Sequence, residues 1–178
     1  LLSFSPSNIL SMSWYERARA YADGEVGMAY CATLLAPMFE LNPASPAHGV
    51  TEYLPLPSGL NARPLAPLGG YALAIPSNVA ENRIDPIWTA LSSLSSAQAI
   101  KLYIENGSLV SPRFSVSMDP EVSKISPVIS KVDEMARFGV LQMWPRPPVP
   151  EISNIIAIVG EEMHDMLVGV KSIDEALI

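Results

Sequence analysis

Leu68-Gly69-Gly70-Tyr71-Ala72-Leu73-Ala74-Ile75-Pro76 is the stretch that decides the predicted fold. Two glycines run directly into an apolar, β-prone segment, which a proline closes. Glycine lets another backbone or a ligand approach closely, because it has no side chain to block the space. An aromatic ring directly after the pair is well placed to present its face to a pocket. Taken alone, the pattern favours a buried strand that begins with a glycine bulge, and a strand that contacts a ligand is the alternative.

The composition is that of a globular domain. The chain has 178 residues, of which 49% are hydrophobic and 16% are charged, and this length is sufficient for a hydrophobic core. A net charge of -7 with scattered basic residues argues against nucleic acid or an anionic membrane as a partner. No apolar run approaches the roughly 20 residues that a membrane helix needs. Cys31 is the single cysteine, which excludes an internal disulfide.

The first residues predict that the chain is part of a longer protein. Residues 1–6 read L-L-S-F-S-P, with no initiating methionine, no basic n-region and no signal cleavage pattern. We therefore expect them to come from the interior of a larger gene product.

The first third of the chain mixes predicted strands with helices. Ser13 and Glu16 form a capping box for a helix that stops at Gly24. Short apolar runs between turn signals then predict buried strands. The predicted elements that follow are a strand at Val26–Cys31, a short helix at Thr33–Glu40 and a strand at Gly49–Leu54.

The remainder is predicted to be mostly helical, because capping and proline signals recur there. The first two predicted helices start at Asp85-Pro86 and at the Ser95–Gln98 capping box, and the second of them ends at Gly107. The next starts at Asp119-Pro120 and has a break at Pro127. The last two start at Glu151, ending at Val168, and at Ser172, still running at Ile178. Residues 108–118 are predicted to be extended, and the proline-rich Met143–Pro150 to be a rigid loop. Trp14 and Trp88 are predicted core residues. Strands followed mainly by helices indicate an α/β or α+β class.

Catalytic chemistry has little support in the residue pattern. Nucleophilic catalysis needs a serine or cysteine with a base in reach, and neither His48 nor His164 has a partner at motif spacing. Cys31 lies in an apolar run, where an inert buried thiol is usual. The acidic residues around His164 predict a solvated helix face, since adjacent helical positions point in different directions. We therefore predict no catalytic residue, no metal and no cofactor.

Five segments occur in an order that resembles family 1 extracellular solute-binding proteins, the sugar-binding components of bacterial ABC importers. Residues 14–28 read W-Y-E-R-A-R-A-Y-A-D-G-E-V-G-M, similar to a helix ending in F-x-x-G-K/E-x-A-M, with Tyr21 and Gly27 replacing the usual phenylalanine and alanine. Residues 69–76 resemble the strand G-G-W/Y-x-L-A-I-P. The other matching segments are the helix pair at 88–104, the R-P-P-V-P-E loop at 146–151 and K-S-I-D-E-A-L at 171–177.

The resemblance implies an α/β, periplasmic-binding-protein-like fold of class II, with two lobes that close on a ligand about a hinge. It also implies that this chain is only the C-terminal half of such a protein. Residues 1–68 and 118–178 would belong to the second lobe. Residues 69–117 would cross into the first lobe and return.

The resemblance further assigns a ligand cleft. Sugars offer an apolar C–H face and a rim of hydroxyls, which aromatic rings and polar groups recognise respectively. The cleft residues carried over are Tyr30, Gly69, Gly70, Tyr71, Trp144 and Arg146. The alternatives are that the two tyrosines are core residues and that the arginine only pairs with a carboxylate. Leu34 and Ile156 stand where maltodextrin binders have stacking tryptophans, so a smaller sugar or another polar solute is expected.

A solute-binding protein would deliver its ligand to the membrane subunits of an ABC permease. The expected location is periplasmic or extracellular, with a lipoprotein anchor as an open alternative. Two other readings remain. One is a stand-alone interaction module, which would form homodimers through the surface left by the missing lobe. The other, less favoured, is a small hydrolase that uses Cys31, His48 or His164.

Overall fold

A computed structural model describes residues 2–143 and 146–177 of the chain. It divides into two compact units, Leu1–Gln142 and Met143–Ile178. The first unit contains α1 (Trp14–Ala22), α2 (Pro37–Glu40), β1 (Ala66–Pro67), α3 (Glu81–Leu94), α4 (Ala97–Glu105), α5 (Phe114–Ser117), α6 (Pro120–Ser123), α7 (Pro127–Arg137) and β2 (Leu141–Gln142). The second contains α8 (Ile152–Leu167) and α9 (Ile173–Ala176). Single turns of 3-10 helix occupy Leu2–Phe4, Ile9–Ser11 and Thr33–Leu35.

The sheet is a short parallel pair. β1 pairs with β2 in the register Ala66 to Leu141 and Pro67 to Gln142. The pairing ends where the Leu68 amide donates to the Gln142 carbonyl at 2.8 Å. With two paired strands in a mostly helical chain, the α/β periplasmic-binding-protein-like class stays a prediction.

The three predicted strands were wrong for this structure. Residues 26–31, 49–54 and 68–76 contain no strand, and most of their side chains are exposed. Among the described residues, no backbone hydrogen bond involves residues 26–31, 51–54 or 69–75. A strand requires a neighbouring strand to bond with, and no element within residues 2–143 and 146–177 supplies one for these segments.

The predicted start of α1 is confirmed. The Glu16 amide donates to Ser13 Oγ at 3.2 Å, and the Ser13 amide donates to Glu16 Oε2 at 2.7 Å. The hydrogen bond that the Ser13 backbone amide donates lowers the pKa of the Glu16 carboxyl group. Gly24 ends the helix at a φ of 77°. The buried residues of α1 are alanines, which allow close packing. Trp14 is exposed, and the prediction that it is a core residue was wrong.

One hydrophobic core fills the first unit. At its centre Phe39 packs edge-on against Tyr21, with ring centroids 5.1 Å apart. The other buried members come from helices and loops along the chain: Ala22, Ala36, Ala47, Ile100, Ile104, Leu109, Val116, Val122, Val128 and Ile129. The core therefore joins residues from all three predicted segments, 1–68, 69–117 and 118–178. Their assignment to two lobes remains a prediction.

α3 begins four residues before the predicted cap. It starts at Glu81, so that Asp85 is not a cap and Pro86 lies inside the helix. Proline lacks the amide for the bond to the preceding turn, and the helix nevertheless runs through it. Trp88 is exposed, contrary to its predicted core position, while Ile87 and Leu91 are half-buried.

α4 is confirmed with its cap moved by one residue. The capping side chain is that of Ser96, which accepts from the Ala99 amide at 3.2 Å, rather than that of Ser95. The helix stops before Gly107, whose φ of 100° suits glycine. Beyond it, the short helix α5 interrupts the stretch 108–118 that was predicted to be extended.

The predicted break between α6 and α7 is confirmed. Asp119 caps α6 by accepting from the Glu121 amide at 2.9 Å, and Lys101 donates to its other oxygen at 2.7 Å. The bond from Lys101 lowers the pKa of Asp119. Pro127 then takes the first position of α7, where its missing amide is not needed.

The second unit confirms the predicted long helix and the last cap. α8 lies within the predicted 151–168, and Ser172 and Glu175 form a complete capping box for α9. None of the α8 side chains is buried, so the second unit by itself does not cover the predicted core side of this helix. Residues 146–149 are irregular, as predicted. Trp144, Pro145 and Ile178 lie outside the described residues.

Candidate ligand-binding site

Gly69, Gly70 and Tyr71 form an open extended segment after β1. The Tyr71 side chain is fully exposed. A Cβ added to either glycine would meet no atom within 4 Å outside its chain neighbours. Among residues 2–143 and 146–177, no backbone group bonds to the amides of these three residues.

Tyr30 lies in a second open segment, between α1 and the turn at Thr33–Leu35. Its ring is exposed. The neighbouring Cys31 is half-buried, and this burial raises the pKa of its thiol against the opposing influence of Arg17. Tyr30 can therefore present a ring face, while the thiol beside it stays protonated.

The remaining predicted cleft residues belong to the second unit or to undescribed positions. Arg146 is exposed in the irregular segment of the second unit. Trp144 falls outside the described residues. The structure thus gives the exposure of Tyr30, Gly69, Gly70, Tyr71 and Arg146 within their own units, and their assembly into one cleft stays a prediction.

Two small clefts border α1, and sequence reasoning predicted neither. One of about 200 Å³ is lined by Asn8, Met12, Glu16, Arg19, Ala20, Asp23 and Glu25. The other, of about 240 Å³, is lined by Tyr21, Gly24, Val26, Gly27, Pro46, Ala47 and Val50. None of the predicted cleft residues lines either one. The sequence signals near them, such as the capping box with Glu16 and the helix stop at Gly24, indicated local structure rather than a cleft.

A buried polar pair lies near the core of the first unit. Tyr53 donates its hydroxyl to Glu40 Oε1 at 2.5 Å, and Glu40 is only 7% exposed. Burial first, and then the bond to Glu40, raises the pKa of Tyr53 well above its ordinary value. The Tyr21 hydroxyl donates to Thr51 Oγ1 at 3.1 Å nearby. Sequence reasoning missed the pair because its members are 13 residues apart in no helical or strand register.

The candidate groups for hydrolysis each have surroundings of their own in the described structure. His48 Nδ1 lies 3.2 Å from the Phe39 carbonyl oxygen. His164 Nδ1 is 3.9 Å from Asp165 Oδ1 on the surface of α8. The raised pKa of the Cys31 thiol is opposite to what a nucleophile needs. Within residues 2–143 and 146–177, no group of three or more histidine, cysteine, aspartate and glutamate side chains could hold a metal ion.

Lys171 forms ion pairs with two carboxylates of α8 in the second unit. Its ammonium lies 2.6 Å from Glu162 Oε2 and 3.7 Å from Asp165 Oδ2. The bond to Glu162 raises the pKa of Lys171. This network joins α8 to the segment before α9, and it agrees with the predicted solvated acidic face.

Comparison with known proteins gives no relative for this chain. Neither a protein-family model, nor a curated protein, nor a solved structure matches it. In the described part of the chain, no helix has both the length and the apolar character required to cross a membrane.

Proposed function

We propose that this chain is the C-terminal portion of the sugar-binding component of an ABC importer. The proposal rests on the five ordered sequence motifs, and the fold is compatible with them in the helical half of the chain. α4 and the irregular segment before α8 occur where the motifs predict them, as do α8 itself and the capping box of α9. The protein would act outside the cytoplasm and deliver its solute to the permease subunits.

The observation that carries the binding role is the open segment Gly69–Tyr71. A sugar needs an aromatic face for its C–H groups and donors for its hydroxyls. Tyr71 supplies a fully exposed ring, and the two glycines leave open space where a side chain would otherwise stand. Such an arrangement is suited to one wall of a cleft, with the opposite wall contributed by chain outside this sequence.

A second observation supports an incomplete fold. The accessible surface of the chain is 13209 Å². Two independently folded units of these lengths would expose roughly 9,800 Å² together. The exposed β-prone segments 26–31, 51–54 and 69–75, for which no backbone hydrogen bond is found among the described residues, contribute to this excess. In a complete two-lobed protein, strands of the first lobe would pair with the last of these segments.

Sugar titration tests the proposal directly. We expect the chain joined to its missing lobe to bind a small sugar in a saturable manner, and this chain alone to bind weakly or not at all. Tyr71→Ala in the joined protein is expected to weaken binding about 10-fold, because it removes the stacking face. Isothermal titration against a panel of mono- and disaccharides and sugar alcohols provides the measurement.

Tyr103→Ala is the matched control for this titration. Tyr103 is an exposed tyrosine on α4, far from the glycine pair in sequence, and its removal should leave the affinity unchanged. Equal affinities for the wild type and for Tyr71→Ala would contradict the role of Tyr71. A joined protein that binds no member of the panel would contradict the sugar assignment.

A stand-alone interaction module is the second candidate function. The observation in its favour is the same excess of exposed surface, because a partner protein could cover it as well as a missing lobe could. This alternative needs no ligand at Tyr71. It predicts that the titration above fails while association with another protein chain succeeds.

A further inference from the structure

Asn106 and Gly107 form a reactive pair that the proposed function does not use. Among the asparagines of the chain, Asn106 alone precedes glycine, whereas the others precede isoleucine, proline, alanine, valine or arginine. Glycine has no side chain to hinder the approach of its amide nitrogen to the preceding side chain. The pair lies where α4 ends, and Asn106 is exposed.

The reaction open to such a pair is intramolecular loss of the side-chain amide. The Gly107 nitrogen gives up its proton to solvent and bonds to Cγ of Asn106, while the bond from Cγ to Nδ2 breaks and releases ammonia. The product is a succinimide ring, which water then opens at either of its carbonyl groups. Attack at Cγ leaves aspartate. Attack at the main-chain carbonyl leaves isoaspartate, whose main chain runs through the former side chain and is one carbon longer.

The folded turn holds the reacting groups apart. Asn106 has a ψ of 20°, so that the Gly107 nitrogen is nearly eclipsed with the Asn106 nitrogen, whereas ring closure requires it to eclipse Cβ. The Gly107 amide also donates to the Ile104 carbonyl at 3.0 Å. Asn106 Nδ2 donates to the Leu102 carbonyl at 2.8 Å. Because the nucleophile and the leaving group are both bonded to the last turn of α4, this turn must open before the ring forms.

The residues after the pair determine what the modification would do. Gly107 has a φ of 100° and Leu109 a φ of 53°, and the Leu109 side chain is 1% exposed in the core of the first unit. A left-handed conformation is unfavourable for leucine, so the path from Asn106 to Leu109 is closely determined by its surroundings. The additional main-chain carbon of isoaspartate lengthens this path and displaces Leu109 from its buried position.

The aspartate product is expected to disturb the turn less. α1 ends in the same kind of turn, in which Asp23 precedes Gly24 and the Gly24 amide donates to the Tyr21 carbonyl at 3.0 Å. Aspartate is therefore compatible with the position before such a glycine. At position 106 it would lose the bond from Nδ2 to Leu102 and place a negative charge at the negative end of the α4 dipole.

We propose that Asn106-Gly107 is a site of spontaneous modification by water, that the folded turn at the end of α4 suppresses the reaction, and that the isoaspartate product removes Leu109 from the core. The inference rests on the first unit alone and does not depend on sugar binding.

Mass spectrometry of the full chain, folded and unfolded, tests the suppression. The two samples are held at the same mildly alkaline pH and temperature, one in buffer and one in guanidinium chloride, and are then digested with trypsin. The tryptic peptide 102–113 carries the site and no other asparagine. We expect its conversion to be at least about 10-fold slower in the folded chain, because only molecules with an open turn react. Asn61, which precedes alanine, is the internal control and should stay unconverted in both samples.

Refolding after modification tests the effect on the core. Wild-type protein that has been converted in the unfolded state is returned to buffer, and the isoaspartate fraction is separated by ion exchange. We expect this fraction to have a lower urea midpoint than fresh protein, with Asn106→Asp between the two. Asn106→Gln treated in the same way is the matched control, because the longer glutamine side chain does not readily form the ring. Since it retains Asp23-Gly24, any change at that pair is common to both proteins.

Three results would overturn the proposal. Equal rates of conversion in the folded and the unfolded chain would show that the turn does not suppress the reaction. Conversion of Asn61 as fast as that of Asn106 would remove the role of the glycine. An isoaspartate fraction with the urea midpoint of Asn106→Asp would refute the displacement of Leu109.

Discussion

Replacement of Phe39 by alanine is expected to lower the free energy of unfolding of the first unit by about 3–5 kcal/mol. Phe39 is 2% exposed and lies in the core that α1, α2 and α4–α7 share. The substitution removes the ring that packs on Tyr21 and leaves a cavity that the short helix α2 cannot close. Because single domains have only about 5–15 kcal/mol of stability, this loss would remove a large share of it.

Urea denaturation followed by circular dichroism measures this effect. Phe4→Ala is the control, since Phe4 is an exposed phenylalanine in the first 3-10 turn and its loss should change the stability by no more than about 0.5 kcal/mol. Equal stability of Phe39→Ala and the wild type would show that the core described for this unit is not the one that holds it together.

Alkaline pH is expected to destabilise the first unit through Tyr53. Burial and the bond to Glu40 raise the pKa of Tyr53 in the folded chain, whereas an unfolded tyrosine ionises near pH 10. Above pH 10 the unfolded state therefore binds fewer protons than the folded state. The stability is constant with respect to this group below pH 10 and falls above it, by up to about 1.4 kcal/mol per pH unit. By pH 12 the loss amounts to about 2 kcal/mol.

Urea denaturation at pH 8 and at pH 11–12 measures this loss. Tyr53→Phe is expected to remove the alkaline dependence, and at neutral pH to lower the stability by about 1–3 kcal/mol, since Glu40 loses its hydroxyl donor. Tyr103→Phe, at an exposed position, is the control and should retain the wild-type profile. An undiminished alkaline loss in Tyr53→Phe would assign the effect to another group.

Helices could be predicted from this sequence because their signals are local. The capping boxes at Ser13 and Ser172 bond within four residues of themselves, and so the sequence contains everything the cap needs. The proline at position 127 fixed the start of α7 for the same reason. The predicted start of α3 was wrong because Asp85-Pro86 is also compatible with the interior of a helix that has already begun at Glu81.

Strands could not be predicted in the same way because a strand depends on a partner. Residues 71–75 have the composition of a strand, yet in the described part of the chain the last hydrogen bond of the parallel pair is that of Leu68. The apolar side chains of residues 26–31 and 49–54 were expected inside, and most of them lie outside for the same reason. Of these segments, the resemblance places only residues 71–75 in the part that crosses into the missing lobe.

The candidate site, too, could be predicted from the sequence only in part. The exposure of Tyr30 and Tyr71 agrees with the predicted cleft role better than with a core role, although exposure alone is not binding. The Glu40–Tyr53 pair could not be predicted, because tertiary packing brings its members together. Arg146 and Tyr71 belong to different units, and their joint role rests on the resemblance.

We propose that a lobe encoded upstream of this chain completes its fold and its cleft. Sequencing the gene upstream of the Leu1 codon is the decisive test. We expect a signal peptide or lipoprotein signal followed by roughly 200 residues of α/β pattern, the size of one domain. An initiation codon immediately before Leu1, with no such region, would contradict it.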